Sequence, residues 1–171
     1  MNEFLFRFFY FISVLGGEKM MIIATTLVSL VVYFWSKEKI LAGFVLFNYL
    51  VTMAVIIGLK FWVQKPRNLL ALVHENSYAF PSGHAAAAVV TLLLLFYISN
   101  FIKSKFWKNL MKLIGALWII LIICARLYLR VHDIYDILAS IIIAIFVFYV
   151  STNLGIFKKY KIKNAVKHLE K

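Results

Sequence analysis

The hydrophobic residues of this chain form long uninterrupted runs, which are separated by short joints rich in lysine. A bilayer core about 30 Å thick needs about 20 helical residues to cross it, and about 17 at the least. Five runs meet that length, over residues 20–36, 40–59, 85–102, 110–129 and 134–150. They lack the alternation of a membrane barrel strand, and a helix satisfies every backbone amide inside lipid. We therefore predict an all-α, polytopic transmembrane helical bundle with five spanning helices.

The first residues of the chain differ from these runs. Residues 2–16 are strongly aromatic, but Glu3 and Arg7 interrupt them and the stretch ends at Gly16 and Gly17. A helix with one apolar and one charged face lies in the membrane interface. We therefore predict an interfacial amphipathic helix over residues 1–17, with a sixth, short span as the alternative. The side chains expected to face the lipid are Phe4, Phe8, Phe11, Ile12 and Leu15.

Composition indicates that the membrane part is nearly the whole chain. The 171 residues are 64% hydrophobic and 15% charged, whereas a soluble domain carries about 45–50% apolar and about 25% charged residues. We therefore predict a single integral-membrane domain over residues 1–171. Its longest joint, residues 60–84, holds both prolines, and residues 158–171 are expected to form a basic cytoplasmic tail.

The formal net charge of +12 does not by itself indicate nucleic acid, because a nucleic-acid binder needs its basic surface on a soluble core. Lysines at membrane joints anchor spans to the interface. The expected partner is therefore the lipid bilayer, and no nucleic acid is expected.

Charge also predicts which joints lie in the cytoplasm. With five spans the joints alternate between two faces, and the face richer in Lys and Arg is cytoplasmic. Twelve such residues lie on one face and seven on the other. The loop 60–84 and the joint 126–136 share the poorer face, so we expect both outside the cytoplasm. The richer face has Lys37, Lys39, Lys103, Lys105, Lys108, Lys112, Lys158, Lys159, Lys161, Lys163, Lys167 and Lys171; the other has Arg7, Lys19, Lys60, Lys65, Arg67, Arg126 and Arg130.

Ionisable residues at the ends of spans are candidates for function, because charged groups are disfavoured in lipid. Each alone has a structural explanation, such as a snorkelling lysine or a first-turn acid stabilised by the helix dipole. Together they predict a basic pocket with two histidines and one carboxylate. The six candidates on the non-cytoplasmic face are Lys60, Arg67, His84, Arg126, His132 and Asp136.

Three spacings connect these candidates. Lys60 and Arg67 form K-x6-R, residues 81–84 read P-S-G-H, and Arg126 begins R-x5-H-x3-D. Over residues 60–136 the sequence resembles the type 2 phosphatidic acid phosphatase superfamily, whose motifs are K-x6-R-P, P-S-G-H and S-R-x5-H-x3-D. It departs from them at three places: Asn68 replaces proline, Ala125 replaces serine, and Arg130 stands where glycine is frequent.

The resemblance implies an integral-membrane, metal-independent lipid phosphatase that uses no cofactor. It makes His132 the nucleophile of a phosphohistidine intermediate, Asp136 the group that orients it, and His84 the general acid. These roles suit a neutral imidazole, which is a competent nucleophile near neutral pH. The four-residue spacing of His132 and Asp136 predicts that both lie on one face of the last helix. The implied phosphate ligands are Lys60, Arg67, Ser82, Gly83 and Arg126, with the free N–H groups of Ser82 and Gly83 expected at a helix start that favours anions.

Other uses of these residues stay open. Two histidines and an acid also suit zinc, although the neighbouring cations would repel a metal ion, so none is expected. His74 and Glu75 either contact a lipid headgroup or are solvated, and Asp133 is expected at the surface. The implied substrates are undecaprenyl diphosphate, phosphatidylglycerol phosphate or the 1-phosphate of lipid A. Alternatives are transfer of phosphate between lipids, an anion channel or transporter, and a structural subunit.

Overall fold

The computed structural model describes residues 2–155 and residue 157, and all the regular structure in these residues is α-helical. The predicted basic tail, residues 158–171, lies outside the described residues. The helices of the described part are α1 (Glu3–Leu15), α2 (Glu18–Ser36), α3 (Lys39–Val63), α4 (Gly83–Ser99), α5 (Lys105–Tyr128) and α6 (Ile134–Asn153).

Within the described chain, four helices are long and apolar enough to cross a membrane: α2, α3, α5 and α6. The remaining predicted span, over residues 85–102, corresponds to α4, which is apolar but has only 17 residues. At about 1.5 Å per residue it reaches about 25 Å, slightly less than the hydrocarbon core. The predicted all-α membrane bundle is therefore confirmed, and the protein crosses the membrane several times.

Helix α4 forms the centre of the bundle, where it packs against α2, α3, α5 and α6. Residues 85–88 are four consecutive alanines, and all four are buried. Small side chains let neighbouring helices approach closely, which is how helices in lipid gain packing energy. Farther along α4 the core becomes aromatic, with the rings of Tyr97 and Phe44 centred 4.7 Å apart. The N-terminal end of α4 is thereby fixed relative to the other helices.

Two boundaries differ from the predicted ones and change where site residues lie. Helix α3 continues to Val63, so Lys60 lies in its last turn and not at the start of the loop. The helix ends at Gln64, whose left-handed backbone and N–H, which donates to the Lys60 carbonyl, close the last turn. Pro66 follows two residues later, where a helix cannot continue easily.

The start of α6 corrects the prediction for His132. Asp133 is the N-cap: its side chain accepts from the Asp136 N–H, and the Asp136 side chain accepts from the Asp133 N–H. This reciprocal capping box fixes the start of the helix at Ile134. His132 therefore precedes the helix and does not share its face with Asp136. Asp133 is exposed at the surface, as expected, and it also caps this helix.

Helix α1 is 13 residues long, about 20 Å, which is too short to cross the bilayer as a straight helix. Its C-terminal half packs on α5. The rings of Phe9 and Tyr128 are 4.7 Å apart, and Gly16 lies directly against Ile122. Glu3 and Arg7 pair at the exposed start of the helix. The interfacial position stays a prediction, and the contact with α5 places the end of α1 next to the site.

We predict that a side chain at Gly115 separates the two most closely packed helices. A Cβ there would lie 2.7 Å from Leu92 Cδ1 of α4, whereas a Cβ at Gly43 would meet nothing within 4 Å. Both Gly→Leu changes gain similar helix propensity. Overpacking at Gly115→Leu should lower the free energy of unfolding by about 1–3 kcal/mol relative to Gly43→Leu. Thermal unfolding of the two variants in detergent measures this difference; equal melting temperatures would contradict the packing described here.

Candidate active site

The candidate site lies at one end of the bundle, where four helix termini meet. The last turns of α3 and α5 carry Lys60 and Arg126, and the first turns of α4 and α6 carry His84 and Asp136. The loop between α3 and α4 adds Arg67. A hydrogen bond from Leu72 N to the Leu129 carbonyl ties that loop to the end of α5, and one from Ala79 N to the Lys65 carbonyl joins the two ends of the loop, both 2.9 Å.

Arg67 is held by the loop on one side and faces a histidine on the other. Its Nε and Nη2 donate to the carbonyl and hydroxyl of Ser77, at 2.8 and 3.0 Å. Its Nη1 donates to the Val131 carbonyl at 2.8 Å and lies 3.1 Å from His132 Nε2. These contacts fix the plane of the guanidinium, so its orientation is set before any ligand arrives.

Arg126 is fully buried, at 0% exposure. Its Nη1 donates to the hydroxyl of Ser13 on α1 and lies 3.4 Å from His84 Nε2. Its Nε has no hydrogen-bond partner among the described residues. A buried donor without a partner is costly, and it indicates that this guanidinium has spare capacity for an anion.

Glu75 joins the two arginines. One carboxylate oxygen accepts from Arg67 Nη2 at 2.9 Å and the other accepts from Arg126 Nη2. Burial alone would raise the pKa of Glu75, but Arg126 and then Arg67 outweigh burial and hold that pKa well below its usual range. The carboxylate is therefore ionised at neutral pH. Of the two alternatives considered for Glu75, a solvated side chain is excluded by these contacts.

The contacts of His132 select one tautomer of its ring. Arginine can only donate, so Nε2, which faces Arg67 Nη1, is the acceptor nitrogen. An ionised carboxylate can only accept, so the proton is on Nδ1, which donates to Asp136 Oδ2 at 3.4 Å. Although His132 precedes the helix, the predicted pairing with Asp136 is therefore present. The lone pair of Nε2 is directed at the guanidinium of Arg67.

Burial also keeps the imidazole of His132 neutral. Desolvation is the main cause that lowers the pKa of His132 to about 4, and the hydrogen bond to Asp136 opposes this shift without reversing it. Nearby cations, first Arg126 and then Arg67, contribute to the same lowering. A neutral ring whose Nε2 carries no proton is the nucleophilic form of histidine.

The start of α4 differs in part from the expected anion site. Ser82 caps the helix, since its hydroxyl accepts from Ala85 N, but its own N–H donates to the Asp136 carbonyl at 3.2 Å. That N–H is therefore not free, contrary to the prediction. Gly83 lies directly against the carboxylate of Glu18 on α2, and any side chain at this position would collide with it. A carboxylate near a helix N-terminus is stabilised by the helix dipole.

Two lysines support the site from its edges. Lys60, expected to bind phosphate, is buried and donates to the Tyr78 carbonyl at 2.7 Å, which holds the loop. Lys65 pairs with Asp133 and with Asp136 Oδ1, the latter at 2.7 Å. The two oxygens of Asp136 thus have different partners, Lys65 on one and His132 on the other. This fixes the carboxylate that orients the imidazole.

The three departures from the family motifs have local explanations. Asn68 forms a turn in place of proline: its side chain accepts from Leu70 N at 2.9 Å. Arg130 is exposed and has a φ of 57°, a left-handed conformation that glycine, frequent at this place, adopts without strain. Ala125 is fully buried. His74 is exposed and contacts Asn76 within the loop, which agrees with a solvated side chain.

Sequence reasoning gave no defined role to four side chains that lie at the site, although it considered Glu75 as a headgroup contact. Glu75 and Lys65 lie in the loop 60–84, and Ser13 and Glu18 lie on either side of the joint between α1 and α2. One signal was the pair of glycines in that joint, since a side chain at Gly17 would come within 3.7 Å of His84 Nε2. The loop contacts carry no such signal, because they depend on how the loop folds back.

The sequence profile of the PAP2 superfamily matches residues 41–159, which is more than half of the chain. The chain therefore belongs to the PAP2 superfamily, the family of the three motifs described above.

Two comparisons each give a similar protein from Bacillus subtilis. Phosphatidylglycerophosphatase B of Bacillus subtilis (strain 168) is 31% identical over 94 residues, which are 53% of this chain and 46% of the relative. The match thus spans about half the length of that curated relative. The crystal structure of a transmembrane PAP2 type phosphatidylglycerolphosphate phosphatase from Bacillus subtilis superposes with a TM-score of 0.81 at 21% identity, covering 95% of this chain and 79% of the other. This likeness establishes the shared fold.

We predict that burial of neutral His132 makes the fold less stable in acid. Its pKa is 6.5 in a model compound and about 4 in the folded protein, so between these values the unfolded chain binds more protons. Stability should therefore fall as the pH drops through this window. His132→Asn should show a smaller fall in melting temperature than the unaltered protein between about pH 7.5 and about pH 5.

The control for this experiment is His74→Asn, which removes an exposed histidine from the same end of the protein. It should keep the pH dependence of the unaltered protein. If His132→Asn keeps it as well, His132 is not buried in the neutral form.

Proposed function

We propose that this protein is a membrane lipid phosphatase that hydrolyses a phosphomonoester or a diphosphate on a lipid headgroup. The observation that carries the proposal is a pair of guanidiniums, those of Arg67 and Arg126, which together bind the carboxylate of Glu75 and each face one histidine. Each guanidinium contacts Glu75 through one nitrogen and a histidine through another. A phosphoryl group bound by both arginines would lie within reach of His132 and His84.

The first chemical step forms a covalent intermediate. His132 Nε2 attacks the phosphorus, and the bond from phosphorus to the lipid oxygen breaks. Nδ1–H stays bonded to Asp136, which stabilises the positive charge that develops on the ring. His84, protonated on both ring nitrogens when the phosphoryl group is bound, donates a proton to the leaving oxygen and becomes neutral. In the second step His84 accepts a proton from water, whose oxygen attacks the phosphohistidine and releases inorganic phosphate.

The charges at the site favour this chemistry without a metal ion. Phosphoryl transfer needs little covalent assistance and depends on stabilising charge on the equatorial oxygens. Arg67 and Arg126 supply that stabilisation with planar donors suited to two oxygens. The same cations would repel a divalent metal ion between the histidines. We therefore propose metal-independent hydrolysis without a cofactor, with Lys60 and Gly83 as supporting phosphate ligands.

The surroundings of the site support a lipid substrate. Large apolar side chains next to it are exposed, among them Phe61, Trp62, Leu69 and Leu70. Exposed aromatic and aliphatic residues at one end of a helical bundle lie in the membrane interface. A lipid headgroup would reach the arginines from the bilayer while its tails stay between helices. We place this end outside the cytoplasm of a bacterial inner membrane, on the basis of the lysine distribution.

Phosphatidylglycerol phosphate is the first candidate substrate, because the similar Bacillus subtilis protein is a phosphatidylglycerophosphatase B. Undecaprenyl diphosphate and the 1-phosphate of lipid A present the same chemistry and stay candidates. A phosphohistidine also permits transfer to a lipid hydroxyl in place of water. An anion channel is less well supported, since these charges cluster at one end of the bundle.

We predict that His132→Ala lowers phosphate release from lipid substrates by at least about a thousandfold, because no other group replaces the nucleophile. The measurement is inorganic phosphate released from phosphatidylglycerol phosphate, undecaprenyl diphosphate and lipid A 1-phosphate by purified protein. His74→Ala, which alters a histidine in the exposed loop, should stay near the unaltered rate. Full turnover by folded His132→Ala protein would exclude the nucleophile.

A further inference from the structure

A carboxylate of the chain itself lies where the substrate phosphate would bind. The family motifs include no residue at position 75, yet Glu75 contacts both motif arginines. The other terminal nitrogen of each arginine, Nη1, faces a histidine. Arg67 Nη1 faces His132, and Arg126 Nη1 faces His84. A phosphoryl group that bridges the two arginines and reaches His132 Nε2 therefore has to take the place of the Glu75 carboxylate.

The loop leaves Glu75 room to move aside. Its side chain is 23% exposed, unlike the fully buried Arg126, and it belongs to the loop between α3 and α4. A cavity of about 350 Å³ opens next to it, lined by Arg67, Asn68, Leu72 and His74. A second cavity, of about 270 Å³, lies on the other side of Arg67 beside His132 and Asp136. Glu75 can therefore leave for the first cavity while the arginines stay in place.

Charge decides which anions can displace this carboxylate. The lipids of the bilayer mostly carry phosphodiester groups, each with one negative charge, the same as Glu75. A phosphomonoester has a charge of about −1.5 to −2 at neutral pH and three acceptor oxygens. Contacts to charged acceptors strengthen with charge. A phosphodiester therefore binds the two arginines little more strongly than the Glu75 carboxylate does. A phosphomonoester or a terminal diphosphate binds them clearly more strongly.

We propose that Glu75 is a specificity-determining residue that excludes phosphodiesters from the arginine pair and yields to dianionic phosphoryl groups. This inference rests on the proposed function, because it assigns the substrate class of the same site. In a membrane whose phosphodiesters greatly outnumber the substrate, an empty basic pocket would be occupied by the wrong headgroup. Glu75 prevents this occupation, and its loop returns it when phosphate leaves.

Binding to the purified full-length protein in detergent tests the proposal without relying on turnover. The two probes are methylphosphonate, a dianion at about pH 9 with no ester to hydrolyse, and dimethyl phosphate, a monoanion. Calorimetry should give the unaltered protein a preference of at least about tenfold for the dianion. Glu75→Gln should bind dimethyl phosphate about tenfold more tightly and lose most of that preference.

Two variants separate charge from loop structure. Glu75→Asp keeps the negative charge and should keep a preference close to that of the unaltered protein. Asn76→Ala alters the neighbouring loop contact with His74 without changing charge, and it should keep the preference too. If folded Glu75→Gln retains the full preference, or if Asn76→Ala loses it as Glu75→Gln does, the proposal is overturned.

A second measurement uses the unaltered protein, so it does not depend on how the variants fold. Trimethyloxonium labelling of Glu75 at about pH 9, followed by mass spectrometry, reports whether the carboxylate is free, because this reagent methylates ionised carboxylates and methylphosphonate is a dianion at that pH. Methylphosphonate should accelerate labelling several-fold, because it displaces the carboxylate, and dimethyl phosphate at equal concentration should not. If saturating methylphosphonate leaves the labelling rate unchanged, the proposed displacement of the Glu75 carboxylate is overturned. A chain that shows the selectivity but hydrolyses no lipid would contradict the proposed function alone.

Discussion

Two guanidiniums held close together in a membrane protein require an anion between them. Arg126 is fully buried within a spanning helix, and Arg67 is held by loop carbonyls that fix its plane. Removing one partner from such a cluster leaves an uncompensated buried charge, which destabilises a fold by about 3–5 kcal/mol. Glu75 supplies this negative charge, since it contacts both arginines. The same electrostatic requirement is the basis for the phosphate binding proposed at this cluster.

The helical bundle places the two histidines on either side of this cluster. The buried alanines of α4 let four helices pack around it, and that packing fixes where α4 begins and hence where His84 lies. The capping box of α6 fixes Asp136, which in turn holds one nitrogen of His132. Lys65 occupies the other oxygen of Asp136. Rigid helix ends therefore set the geometry, while a single loop carries the groups that have to move.

The sequence predicted the parts of this arrangement that depend on local pattern. Apolar runs located the spanning helices, and the spacing of charged residues at their ends located His84, Arg126, His132 and Asp136. Lys60 and His132 were placed on the wrong side of a helix boundary, because the left-handed residue Gln64 and the cap at Asp133 decide those boundaries. Lys65 and Ser13 were missed and the role of Glu75 was left open, since their contacts join residues 8 to 113 positions apart through the folding of the loop and the docking of α1.

Trapping the covalent intermediate is the most direct test of the chemistry assigned to this site. Purified protein mixed briefly with a lipid phosphate labelled in its phosphoryl group, then quenched in alkali and digested, should carry the label on the peptide that contains His132. The label should be lost in acid, as expected for a phosphorus–nitrogen bond. Hydrolysis that proceeds at the full rate with the label on another residue, or on none, would contradict a histidine nucleophile at this position.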